Sequence, residues 1–176
     1  QGGSGEEGPQ LEVYMKIKFD VLLKKDMLYV YVKFKTTSEE CTIIVDPEEG
    51  KLILRANGGR GGQGGQGGDG GGGGRASYHN VSSNGGQGGQ GGNGGNGSKG
   101  GTITVYKDPD TDKINTEITF SNEGGEGGKG GDGGRGGYKG DVGTGASDGP
   151  QGPAGNSGQG GVKGPDVKII KQKVSF

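Results

Sequence analysis

Three aspartates at alternate positions, Asp108, Asp110 and Asp112, are the residues of this chain best spaced to hold a metal ion. Their spacing matches the first three acidic positions of a calcium loop, where alternate carboxylates turn toward one cation. The match then fails. Lys113 stands where such a loop has glycine, and Thr119 where it has a bidentate glutamate. The run reads first as a polar hairpin turn and only second as a weak calcium site.

Other chemistry is thinner still. His79 is the only histidine and Cys41 the only cysteine. One histidine supports no Ser–His or Cys–His pairing, and zinc lacks ligands. One cysteine excludes an internal disulfide. Cys41 shares a strand face with Ile43 and Val45, so a buried, inert thiol is expected. No Gly-x4-Gly-Lys-Ser/Thr motif is present, and the Gly-x-Gly-x-x-Gly matches fall inside a repeat instead of between a strand and a helix. The expectation is no enzyme and no cofactor. The Tyr78-His79 pair, with Asn80 beside it, reads first as loop residues packing back on their own turn and second as an exposed tip for partner contact.

The elements that must position these residues are unusual. The chain has 176 residues, of which 49 are glycine, so conventional core-building is excluded over most of it. A net charge of −1 argues against a nucleic-acid or anionic-lipid footprint. Arg60-Gly-Gly and Arg135-Gly-Gly-Tyr138 look like RNA-binding RGG segments, but arginine there shares its position with Asp, Glu and Gln. No apolar run reaches the roughly 18 residues needed to span a membrane. The chain opens at Gln1 in a loose stretch, so the missing signal peptide carries no information.

Residues 1–10 read as a flexible segment and 11–56 as a region of four strands, with turns at Leu23–Asp26 and Asp46–Gly50. Residues 57–176 read as a glycine bundle with interleaved strands, forming one compact domain with 11–56. A hairpin is expected over 102–120 around Asp108–Asp112, and a last strand over 167–174. Between the strands glycine keeps a three-residue beat. Asn57, Arg60, Gln63, Gln66 and Asp69 head Gly-Gly-X triplets in the first run, Asn84 to Asn96 in the second, and Glu123 to Arg135 in the third. The left-handed polyproline-II helix has three residues per turn and reads such a period naturally. A flexible linker needs no phase. The breaks at Arg75–Ser83 and Thr144–Asp148 divide the tract into about four rods in two hairpins, each reaching roughly 50–65 Å. The fold class expected is all-β, about seven antiparallel strands, plus this polyproline-II bundle. Glycine packs the rods, and the X residues form a polar outer face.

The Gly-Gly-X runs from Asn57, Asn84 and Glu123 resemble polyglycine-II proteins: phage tail-fibre adhesin tips and the glycine-rich N-terminal domain of Obg GTPases. In layout the chain is similar to uncharacterised secreted bacterial glycine-rich proteins. The resemblance covers about the C-terminal two-thirds. It implies a sandwich of glycine helices whose turns contact a receptor. Its places here are the turn with Tyr78, His79 and Asn80, then Tyr138, then the turn with Ser147 and Asp148. The expected function is a non-enzymatic, secreted or cell-surface structural or adhesive module for a protein or glycan partner, with a monomer favoured. A collagen-like oligomerisation stalk, suggested by the Gly-X-Y triplets from Gly149, and an ice-binding face are the alternatives.

Overall fold

The computed structural model describes residues 1–75, 82–140 and 145–176. The chain contacts divide into two compact units. One comprises Gln1–Gly5, Arg60–Gly97 and Glu126–Gly160; the other comprises Glu6–Gly59, Ser98–Gly125 and Gly161–Phe176. The first is called the glycine unit and the second the strand unit.

Strand is the main regular structure. The strand unit holds β1 (Gln10–Asp20), β2 (Lys25–Phe34), β3 (Glu40–Val45), β4 (Lys51–Arg55), β5 (Thr102–Lys107), β6 (Glu117–Ser121) and β7 (Lys168–Lys171). One sheet has the order β3-β2-β1-β5-β7, and β4 pairs with β6 in a second. The alternation in β1 buries Leu11, Val13 and Met15 against Val30 and Val32 of β2 and Ile103 and Val105 of β5. Leu52, Leu54 and Ala56 join the same core, with Ile118 and Phe120 packed beside them. Burying each of the larger of these side chains, the Leu, Val, Ile and Met, stabilises the fold by about 1.5–3 kcal/mol.

The expectation of antiparallel strands needs correction. Only β1–β2 and β2–β3 are antiparallel; β1–β5, β5–β7 and β4–β6 are parallel. Parallel neighbours need long crossovers, and the glycine-rich stretches between these strands supply that length. The expected hairpin over 102–120 is absent for the same reason. β5 pairs with β1 and β7, whereas β6 pairs with β4. A short 3-10 helix, Pro109–Lys113, separates them, with the Asp108 side chain capping its start.

Cys41 was expected to be buried and is exposed. β3 is the edge of its sheet, and of its residues only Val45 is fully covered. Alternation of residue type locates a strand face but does not say how far the opposing layer extends.

The glycine unit is held by main-chain hydrogen bonds on a three-residue repeat. Gly61, Gly64, Gly67, Gly70 and Gly73 donate to the carbonyls of Glu126, Lys129, Asp132, Arg135 and Tyr138 at 2.7–2.9 Å. Gly128, Gly131, Gly134 and Gly137 donate to Gly95, Gly92, Gly89 and Gly86, each at 2.8 Å. Rows of bonds result: Gly155 donates to Gly131, Gly131 to Gly92, and Gly92 to Gly65. The opening residues, read as flexible, take part as well. Gly2 and Gly5 donate to Asn93 and Asn96, and Gly3 accepts from Gly62. Their own Gly-Gly-Ser spacing provides the register.

Candidate functional site

In the glycine unit, two residues expected at partner-contact positions come together. Tyr138 and Asp148 line one shallow cavity of about 290 Å³ with Asp69, Arg135 and Gly70, Gly72, Gly136 and Gly137. Tyr138 is 81% exposed. The backbone fixes the two carboxylates. Asp148 Oδ1 accepts the Lys139 N–H and Asp69 Oδ1 accepts the Arg135 N–H, both at 2.9 Å. Each aspartate has a second oxygen with further acceptor capacity. The result is an aromatic ring, two oriented carboxylates and a guanidinium on a frame of bare backbone. It can stack on an apolar ring face and exchange hydrogen bonds with hydroxyl or amide groups.

Ser147 does not project a free backbone. Its N–H donates to Asn84 Oδ1 and its carbonyl accepts from Gly85. Gly145, beside it, has φ of +105°, a turn conformation that glycine adopts without strain. Tyr78, His79 and Asn80 lie outside the described residues, as does Thr144 of the second expected turn.

The calcium candidate is not assembled. Asp108 is buried, and its two oxygens accept the N–H groups of Asp110 and Val174, which hold its carboxyl below the usual carboxylate range. Asp110 pairs with Lys113 at 2.7 Å. Asp112 sits between Lys107 at 2.6 Å and Lys171 at 2.7 Å, and these lysines pull its pKa down to about 2. Lysine ammonium groups thus stand where a cation would. Among the described residues no group of three His, Cys, Asp or Glu side chains could hold a metal ion.

Two surfaces of the strand unit escaped the sequence reading. On the outer face of the larger sheet, Tyr14 stacks on Tyr106 with ring centres 4.8 Å apart, and Tyr31 stacks on Phe176 at 5.5 Å. Lys16 and Lys18 lie over the Phe176 ring and donate to its main-chain oxygen at 2.8 and 3.1 Å. Tyrosines at matching positions of β1, β2 and β5 were a signal, but it becomes visible only with the strand order. At the β1–β2 connection, Val21, Leu22 and Leu23 are exposed, Leu22 to 92%. Asp20 Oδ1 shapes this tip by accepting the Leu22 and Leu23 N–H groups. Three consecutive apolar residues entering a turn were the available signal.

No helix among the described residues is long and apolar enough to cross a membrane. No family model, curated protein or solved structure matches this chain.

Proposed function

We propose that the chain is a non-enzymatic structural and adhesive module whose glycine segments are polyproline-II helices. In this reading they form two hairpins that serve as a rigid frame for contact residues. The hydrogen-bond rows repeating every third residue support the helix assignment, since a threefold helix has no internal bonds and must find partners on its neighbours. The observation that carries the adhesive reading is the cavity uniting Tyr138, Asp148, Asp69 and Arg135.

An exposed tyrosine between oriented carboxylates suits a glycan, whose ring faces stack and whose hydroxyls donate. A protein surface is the second partner class. Such a role fits a secreted or surface-attached protein. The Gly-X-Y tract from Gly149 bonds within its own chain, Gly152 to Gly134 and Gly155 to Gly131, which weighs against a collagen-like stalk and for a monomer. The charged X residues Arg60, Asp69, Glu126 and Lys129 weigh against ice binding.

Glycan and surface-protein arrays probed with the native chain and with Tyr138→Ala test the reading. A glycan signal lost in the variant supports it. No reproducible signal, or one indifferent to Tyr138, removes it. Glycine dipolar couplings over residues 60–74 that fit φ near about −75° and ψ near about +145° support the helix assignment.

A further inference from the structure

An asparagine followed by glycine readily loses its side-chain amide, because the glycine nitrogen carries no bulky neighbour to keep it from the side chain. The chain has four such pairs: Asn57-Gly58, Asn84-Gly85, Asn93-Gly94 and Asn96-Gly97. All four are held alike, each by a single partner residue. Asn57 Oδ1 accepts the Glu123 N–H at 2.9 Å, and the Gly58 N–H donates to the Glu123 carbonyl at 2.8 Å. Ser147 holds Asn84 and Gly85 in the same way at 2.9 and 3.0 Å. Asn156 holds Asn93 and Gly94, and Gln159 holds Asn96 and Gly97, each at 2.9 and 2.8 Å. The nitrogen that would attack and the side chain it would attack are thus tied to one neighbour.

The residues between these pairs show what the arrangement requires. Gly88 and Gly91 follow Gln87 and Gln90, and they donate to the carbonyls of Pro150 and Pro153. Proline has no N–H to return. Along this segment asparagine stands where the partner offers an N–H, and glutamine stands where it does not. Asp69 makes the same double bond with Arg135, whose N–H it accepts at 2.9 Å while Gly70 donates to its carbonyl at 2.7 Å. A carboxylate therefore fits this position as well as an amide.

We propose that the four Asn-Gly pairs are modification sites that only unfolding opens, and that modification there blocks refolding. The reaction is deamidation. The glycine main-chain nitrogen attacks the asparagine Cγ, the new N–C bond closes a five-membered imide, and the Cγ–Nδ2 bond breaks. The glycine proton leaves with Nδ2 as ammonia. Water then opens the imide at either carbonyl, giving aspartate or isoaspartate. In the fold the nitrogen must first leave its carbonyl partner, and the side chain its N–H partner. Aspartate is the harmless product, as Asp69 shows. Isoaspartate routes the backbone through Cβ and Cγ, one carbon longer, which adds up to about 1.5 Å to the segment. The main-chain bonds of the next glycines, such as Gly95 to Gly62 at 2.8 Å, do not survive that displacement. The assignment rests on these hydrogen bonds and not on the adhesive reading.

The test incubates the full chain at mildly alkaline pH, native and in guanidinium, and follows the four sites by peptide mapping. Deamidation at each should be slower in the native chain by about tenfold or more. Equal rates overturn the proposal. Gln159→Pro keeps the carbonyl that Gly97 uses and removes the N–H that Asn96 uses. It should speed native deamidation at Asn96 by roughly two- to tenfold, the factor one hydrogen bond represents, and leave the other three sites unchanged. No change at Asn96, or the same change at all four, overturns the role of the pairing. Refolding is the second readout. Chains deamidated in denaturant and returned to buffer should fail to refold in proportion to their isoaspartate content. A variant with all four asparagines replaced by aspartate should refold. Isoaspartate chains that regain the native melting temperature, or an aspartate variant that fails as they do, overturn the register block.

Discussion

The side-chain Oδ1 of Asn93 accepts the main-chain N–H of Asn156 at 2.9 Å, 63 residues further along the chain. Asn84 to Ser147 and Asn96 to Gln159 repeat the bond at the same spacing. The spacing is a multiple of three, so each joins equivalent positions of two segments running in the same direction. Gln87 and Gln90, on the same segment, make no such bond among the described residues. At the X position Asn84, Asn93, Asn96 and Asp69 therefore tie neighbouring segments together, whereas Gln87 and Gln90 are exposed.

Asn93→Ala should lower stability by about 0.5–1.5 kcal/mol, the net worth of one hydrogen bond, and speed exchange of the Asn156 amide. Asn93→Asp keeps the acceptor and should restore that amide's protection. Gln90→Ala should stay within about 0.5 kcal/mol of the native chain. Urea midpoints with hydrogen exchange measure all three. Equal losses at Asn93 and Gln90 would remove the distinction.

Gly131 and Gly65 sit on the same hydrogen-bonded row but in opposite surroundings. A Cβ on Gly131 would collide with the Gly65 carbonyl oxygen, whereas one on Gly65 would meet open space. Gly131→Ala should cost on the order of 1–3 kcal/mol or more, because backbone on both sides must move. Gly65→Ala should be neutral or stabilising by roughly 0.4–1 kcal/mol, since alanine restricts the unfolded chain. Thermal melts that ranked the two variants the other way would contradict the packing.

The triplet beat made the packing surfaces legible because a Cβ is excluded at fixed intervals, and the alternation in β1 and β2 made their buried faces legible. Strand pairing was not legible. Ile103 and Val105 show a half-buried strand but not whether β1 or β6 lies alongside, since parallel partners are separated by whole glycine segments. The polar surface was half legible. Tyr138 and Asp148 were picked out, but Asp69 and Arg135 looked like ordinary triplet heads until their segments were placed side by side. The aspartate run was read first as a hairpin turn, because spacing alone reveals neither the 3-10 helix there nor that Lys107 and Lys171 flank Asp112.

Acid should weaken the strand unit through Asp112. Its folded pKa of about 2 lies below the unfolded value of about 3.9, so the folded state binds the proton less readily. The stabilisation is fully present above about pH 4 and is lost as pH falls toward 2. Asp112→Asn should be less stable than the native chain at neutral pH, and the difference should close by about pH 2. Carboxyl resonances followed through the titration check the assignment. An Asp112 midpoint near its unfolded value would sink it.

Cys41, exposed on the edge strand β3, should react with an aromatic disulfide reagent in native buffer at a rate unchanged by sub-denaturing urea. A buried thiol would react only through unfolding and accelerate with denaturant. Exposure also gives the thiol a consequence under oxidising conditions. With no second cysteine in the chain, its only disulfide is with another molecule. Concentrated, oxidised protein should show a covalent dimer on a non-reducing gel, and Cys41→Ser should abolish it without shifting the melting temperature by more than a degree or so, as for a surface substitution. Reaction limited by unfolding would restore the buried strand face that residue alternation alone suggests.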